Sequence, residues 1–149
     1  AASDVYKRQD LGIAIFERIL FMLINEAIDA VFMQVASVED IDLAMIYDSF
    51  TYTVLVTLES LGFCGPGEGP DFVANQVTAP GGSFPLNTSG GGLSYTHPGM
   101  YGIFTVIEAV RQLRGETGER QLDKCDIALA HGTGGLLSST GTVLLTSNN

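Results

Sequence analysis

The chain has two histidines, and both stand beside glycine-rich junctions. His97 follows the turn-forming run Asn87-Thr88-Ser89-Gly90-Gly91-Gly92 and precedes a helix start. Backbone amides and the positive end of a helix dipole favour developing negative charge there, so an oxyanion site can form. The competing reading is a histidine that caps or hydrogen-bonds inside a tight turn. His131 ends an apolar run at the entrance to Gly132-Thr133-Gly134-Gly135, whose amides are also suited to an oxyanion. Its alternative is a strand-end imidazole satisfied by backbone. Tyr47-Asp48 stands at a strand-to-helix junction, where α/β proteins collect site residues. A plain Asp helix cap and a packed aromatic are the alternatives for that pair.

Other chemistries fit poorly. No GxxxxGK[ST] occurs, and no GxGxxG opens a helix after a strand, so a nucleotide-phosphate cradle is not indicated. Cys64 and Cys125 lie far apart without a CxxC, which gives neither a disulfide scaffold nor a zinc spacing with the two histidines. No metal is expected, and a reducing, cytoplasmic setting fits best.

Positioning these groups requires a layered domain. Residues 41–46 (Ile-Asp-Leu-Ala-Met-Ile) read as a strand. The apolar pattern Phe50, Val54, Leu55, Leu58 and Leu61 predicts a helix, with Asp48 or Ser49 as its cap and Gly62 just past its end. Its β-branched content makes a strand the competing assignment. Residues 63–94, dense in glycine and proline, read as a functional excursion over the surface. Ile103, Val106, Ile107, Val110 and Leu113 mark one face of a second helix that ends before Gly115. Residues 127–130 and 142–146 read as buried strands, so the order is that of an α/β domain.

At 149 residues the chain has room for one domain. Seventeen acidic against seven basic residues give a net charge of −10, and no Lys or Arg occurs between Arg18 and Arg111. A nucleic-acid-binding face is excluded as the main function. Residues 11–33 are apolar but interrupted by Glu17, Arg18, Asn25, Glu26 and Asp29, whereas a membrane span needs about 20 mostly apolar residues. They read as a buried helix with no signal peptide before it. Residues 1–9 lack apolar periodicity and read as a non-native leader, leaving 10–149 as the domain.

The string Asn87-Thr88-Ser89-Gly90-Gly91-Gly92-Leu93-Ser94-Tyr95-Thr96-His97-Pro98-Gly99, followed by Gln112-Leu113-Arg114-Gly115-Glu116-Thr117-Gly118-Glu119-Arg120-Gln121, resembles the C-terminal half of thiolases. The lipid-transfer (sterol-carrier) type and the archaeal-type acetyl-CoA acetyltransferases are the nearest in pattern, over residues 25–145. The resemblance implies a layered α-β-α fold, C-terminal half only. In complete members a related upstream half carries the nucleophilic cysteine, a role neither Cys64 nor Cys125 matches. His97 matches the histidine of a Gly-His-Pro motif that activates that thiol and holds the thioester oxygen, with Thr96 replacing the glycine. A positive φ at that position would be costly for a β-branched residue.

Tyr47 matches the residue that fixes an oxyanion-hole water. His131 falls where ordinary thiolases carry a second cysteine that removes a proton from the acyl donor. Gly134 and Gly135 would supply amides for a second oxyanion hole, and Ser94 is assigned to substrate binding. The resemblance implies acetyl-CoA acetyltransferase-like activity on a CoA thioester, with no permanently bound cofactor. A thiolase-fold aldolase acting on β-hydroxyacyl-CoA and a non-catalytic acyl- or lipid-binding subunit are the alternatives. It also implies an upstream N-terminal half, a homodimer and a small partner with an OB-fold and zinc ribbon. The fragment alone is expected to be inactive.

Overall fold

The computed structural model describes residues 37–96, 99–134 and 139–147. The expected leader and the expected helix over 11–33 lie outside the described residues. Three strands form one sheet in the order β1 (Leu43–Ile46), β2 (Ile127–Gly134), β3 (Ser139–Thr146). β1 runs parallel to β2, with Ile46 opposite His131, and β2 runs antiparallel to β3, with His131 opposite Thr142. All four β1 residues are buried, as a strand covered on both faces requires.

The helices are α1 (Thr51–Ser60), α2 (Gly69–Val73), α3 (Gly91–Ser94) and α4 (Gly102–Leu113). On one face of the sheet Ala44, Ile46 and Leu129 pack with Leu58 of α1 and with Leu61. On the other, Leu43, Met45, Ala128 and Ala130 pack with Ala109 of α4. The side chains therefore alternate between two helical layers, and the expected α-β-α arrangement is present.

α1 prevails over the strand alternative because its β-branched Thr53 and Thr57 are buried beside Leu58, so packing outweighs propensity. It ends as its glycine predicts. Gly62 has φ of 82°, its N–H donates to the Glu59 carbonyl at 3.1 Å, and the Phe63 N–H donates to the Leu58 carbonyl at 3.0 Å. The start differs from expectation. The N-cap is Phe50, in extended conformation and exposed, with no side-chain cap, so neither Asp48 nor Ser49 caps α1.

Residues 63–94 do more than cross the surface. Phe84 packs against Phe63 and Phe72, with ring centroids 4.7 and 5.6 Å away, over the α1 side of the core. The segment then lies beside β1: the Ala44 N–H donates to the Pro85 carbonyl at 3.2 Å and the Asn87 N–H to the Ala44 carbonyl at 3.0 Å. Leu86 is thus a parallel neighbour of Ala44.

α4 is present where its periodicity predicts, but turned. Val106 and Leu113 pack inward, whereas Ile103 and Ile107 are exposed and the buried residues are Thr105, Glu108, Ala109 and Gln112. A buried hydrogen-bond network shares the inward face with these apolar contacts. The Gln112 side chain donates to the Arg120 carbonyl at 2.9 Å and accepts from the Leu122 N–H at 3.1 Å, and Glu108 pairs with Arg120 at 3.0 Å.

Candidate functional site

Tyr47 leaves β1 and is fastened to its neighbour strand, its N–H donating to the His131 carbonyl at 2.9 Å. These two candidates, 84 positions apart in sequence, therefore adjoin at one end of the sheet. Tyr101, fully buried just before α4, packs its ring 5.3 Å from that of Tyr47 and 5.9 Å from that of Tyr95. Tyr95 in turn stacks on Phe104 at 4.7 Å. His97 and Gly135 lie outside the described residues. Tyr95 and Tyr101, two positions before and four after His97, belong to this aromatic cluster.

Thr96, immediately before His97, has φ of 55°, and Met100, three residues after it, has φ of 62°. The left-handed conformation costs an L-residue roughly 1–2 kcal/mol. The expected conflict at Thr96 is therefore real: the backbone here adopts the conformation that glycine provides freely. Gly102, which opens α4, packs beside Gly132 of β2. The positive end of that helix thus faces the strand segment that carries His131.

Asp48 has a partner that sequence reasoning missed. Both its carboxylate oxygens accept from the Gly92 N–H, at 2.7 and 2.8 Å, so it holds the start of α3 instead of α1. Gly91, with φ of 69°, leaves the room: a Cβ there would collide with the carboxylate. Asn87 clamps the end of β1, accepting from the Ile46 N–H at 2.8 Å and donating to the Ile46 carbonyl at 2.9 Å. Its φ of 51° was foreshadowed only by asparagine's tolerance of that conformation ahead of a glycine run. Ser94, the last residue of α3, is exposed and lies over Gly90. Gly134 ends β2.

The electrostatics of the site combine a neutral imidazole and phenol with the Asp48 carboxylate. His131 is fully buried, and burial pulls its imidazole down to about 4, so the ring is neutral at pH 7. Its Nδ1 is 2.8 Å from Thr142 Oγ1, and Nε2 has no hydrogen-bond partner among the described residues. Burial first, and then the charge of Asp48, push the Tyr101 phenol up to about 12, leaving it a protonated donor. Burial also raises both thiols, Cys125 to about 11, which is the opposite of what a nucleophilic cysteine needs. Among the described residues no cluster of His, Cys, Asp or Glu could hold a metal, and no helix is long and apolar enough to cross a membrane.

Comparison with known proteins fits this arrangement. A 17-hydroxy-3-oxo-4-pregnene-20-carboxyl-CoA lyase from Mycobacterium tuberculosis is 42% identical over 107 residues, which is 70% of this chain and 26% of the relative. An acetyl-CoA acetyltransferase from Methanothermobacter thermautotrophicus is 38% identical over 113 residues, 75% of this chain and 30% of the relative. The solved structure titled Ltp2-ChsH2(DUF35) aldolase superposes with a TM-score of 0.72 at 33% identity, covering 85% of this chain and 32% of that one. The chain thus spans between a quarter and a third of the length of these proteins. The family model described as thiolase C-terminal domain-like matches residues 19–147, from before the first described residue through the whole of β3, and the chain belongs to that family.

Proposed function

We propose that this chain is the C-terminal part of a thiolase-like enzyme that makes or breaks a carbon-carbon bond next to a CoA thioester. The observation that carries the reading is the bond between Tyr47 N–H and the His131 carbonyl, with the Tyr101 ring packed on Tyr47 and Tyr95 packed on Tyr101. Tyr47 and His131 thereby share one end of the sheet, and Tyr95 and Tyr101, which flank His97 in sequence, support the proposal that His97 joins them. In this reading His97 activates the attacking thiol of an upstream segment and holds the thioester oxygen as charge develops. Tyr47 donates from its phenol into the oxyanion region, and Gly134 and Gly135 offer amides for a second oxyanion hole. Ser94, exposed on α3, contacts the substrate.

His131 is the α-proton base in this reading. Its neutral ring is the form a base requires, and the unpartnered Nε2 leaves one nitrogen able to act. Its full burial by this chain and a pKa pulled down to about 4 both work against that role, so the ring must be uncovered before substrate reaches Nε2. No cofactor is bound; a CoA thioester enters as substrate. The exposed Leu93, Met100, Ile103 and Ile107 are covered by that remainder, whether upstream half or second subunit. A small partner with an OB-fold and zinc ribbon fits the two-component title of the structural relative.

The second reading is a thiolase-fold aldolase that cleaves β-hydroxyacyl-CoA without an acyl-cysteine. It is favoured by Tyr47, a phenol able to stabilise an alkoxide, and by the identity to the pregnene-carboxyl-CoA lyase. One experiment separates them. The complete protein is assayed for acetoacetyl-CoA thiolysis and for retro-aldol cleavage of a β-hydroxyacyl-CoA, with His97→Ala in parallel. Thiolysis that falls by about 10²-fold or more in kcat with little change in KM supports the first reading. Cleavage without thiolysis establishes the second, and neither activity leaves an acyl-binding module.

A further inference from the structure

Glu108 is a buried carboxylate with no part in the chemistry above. It lies on the inward face of α4, fully covered, and takes hydrogen bonds from three segments of chain. Thr88 Oγ1 donates to Oε1 at 2.9 Å, Arg120 Nε to Oε1 at 3.2 Å and Nη2 to Oε2 at 3.0 Å, and Gln112 Nε2 to Oε1 at 3.4 Å. Thr88 follows the Asn87 clamp on Ile46 and opens the turn that presents Gly92 to Asp48. The turn is thus held on β1 through Asn87, on the Tyr47-Asp48 junction through Gly92, and on α4 through Thr88.

A pair with the half-exposed Arg120 adds little stability by itself, and an apolar residue of similar size would fill the same volume. What the carboxylate adds is direction, because it fixes where Thr88 stands relative to α4. We propose that Glu108 is a positioning residue that acts through Thr88, setting the 88–92 turn so that Asp48, Tyr47 and the segment leading to His97 keep their mutual geometry. The role in turnover rests on the thiolase-like reading; the positioning itself does not.

The test is amide hydrogen exchange at Gly90 and Gly92 in this chain, comparing Thr88→Val, Thr88→Ser and Glu108→Gln. Gly90 N–H donates to the Asn87 carbonyl at 2.8 Å, so both amides report on the turn. Thr88→Val keeps shape and removes the donor, and with Glu108→Gln it should speed exchange at Gly90 and Gly92 roughly tenfold or more, leaving Leu129 and Ala130 of β2 unchanged. Thr88→Ser should restore the slow rates. In the complete protein Thr88→Val should lower kcat on the order of tenfold while KM stays near its original value. Unaltered exchange at the glycines, or equal acceleration at every amide, overturns the positioning role. Accelerated exchange with an unchanged kcat overturns its link to the reaction. An unmodified complete protein without activity defeats the functional reading, and the exchange data then decide the positioning role alone.

Discussion

Thr96 is the residue at which the backbone and the side chain disagree. A β-branched side chain in the left-handed region, directly before His97, is held there by the surrounding chain, and strain of this kind collects at functional sites. Thr96→Gly should raise unfolding stability by about 1 kcal/mol, the relieved strain being partly offset by glycine's larger entropy when unfolded. Chemical denaturation of the two chains measures it, and equal or lower stability in the glycine variant would mean that the conformation carries no strain. His131 gives a second prediction. Its folded-state pKa is depressed from 6.5 to about 4, so the unfolded chain binds the extra proton as pH falls between those values. Stability should therefore decline from pH 6.5 toward pH 4, by at most about 3 kcal/mol from this group. His131→Leu should flatten that portion of the profile; an unchanged slope would place the titration elsewhere.

At the scale of elements, periodicity located α1, β1, α4 and the two closing strands, although β3, expected to be buried over 142–146, is an edge strand of the described sheet with no fully buried residue. It failed on which way α4 turns. Of Ile103, Val106, Ile107, Val110 and Leu113, which read as the core face, Val106 and Leu113 pack inward, but Ile103 and Ile107 are exposed and Glu108 and Gln112 are buried instead, with partners Thr88, Arg120 and Leu122 from segments that no local pattern connects to α4. The Asp48 misassignment has the same origin: a cap on the helix directly following was assumed, whereas the amide it binds belongs to Gly92, 44 residues on. Covalent neighbourhood is visible in a sequence, and a turn folded back from afar is not. The outward stripe has a testable consequence. Ile107→Lys should reduce self-association of this chain in sedimentation while changing its stability by within about 0.5 kcal/mol, because an exposed position loses no packing. A large loss of stability would place Ile107 in the core after all.

For the molecule as a whole, charge limits what this chain can do with a CoA thioester. Coenzyme A is polyanionic, and the chain carries a net charge of −10. From residue 19 to residue 110 it holds no Lys or Arg, a range that includes Tyr47, Asp48, Ser94 and His97. The basic residues that follow are committed or remote. Arg120 is paired with Glu108 and Lys124 with Asp42, while Arg111, which donates to the Glu116 carbonyl, and Arg114 stand at the far end of α4, about 14 and 18 Å along the helix from its start. Strong recognition of phosphate uses clustered Arg or Lys in charge-assisted bonds, and the described end of the sheet with Tyr47 and His131 offers none. If the proposed thioester chemistry holds, the described end of this chain suits the thioester and its acyl group, and the phosphates would need cationic residues from outside the described site. Calorimetric titration of the 149-residue chain with acetyl-CoA should accordingly give no saturable heat into the millimolar range, and the complete protein should bind with an affinity that weakens as salt is raised. Micromolar binding by this chain alone would show that the phosphate contacts lie within it, and would overturn the division of labour argued from its charge.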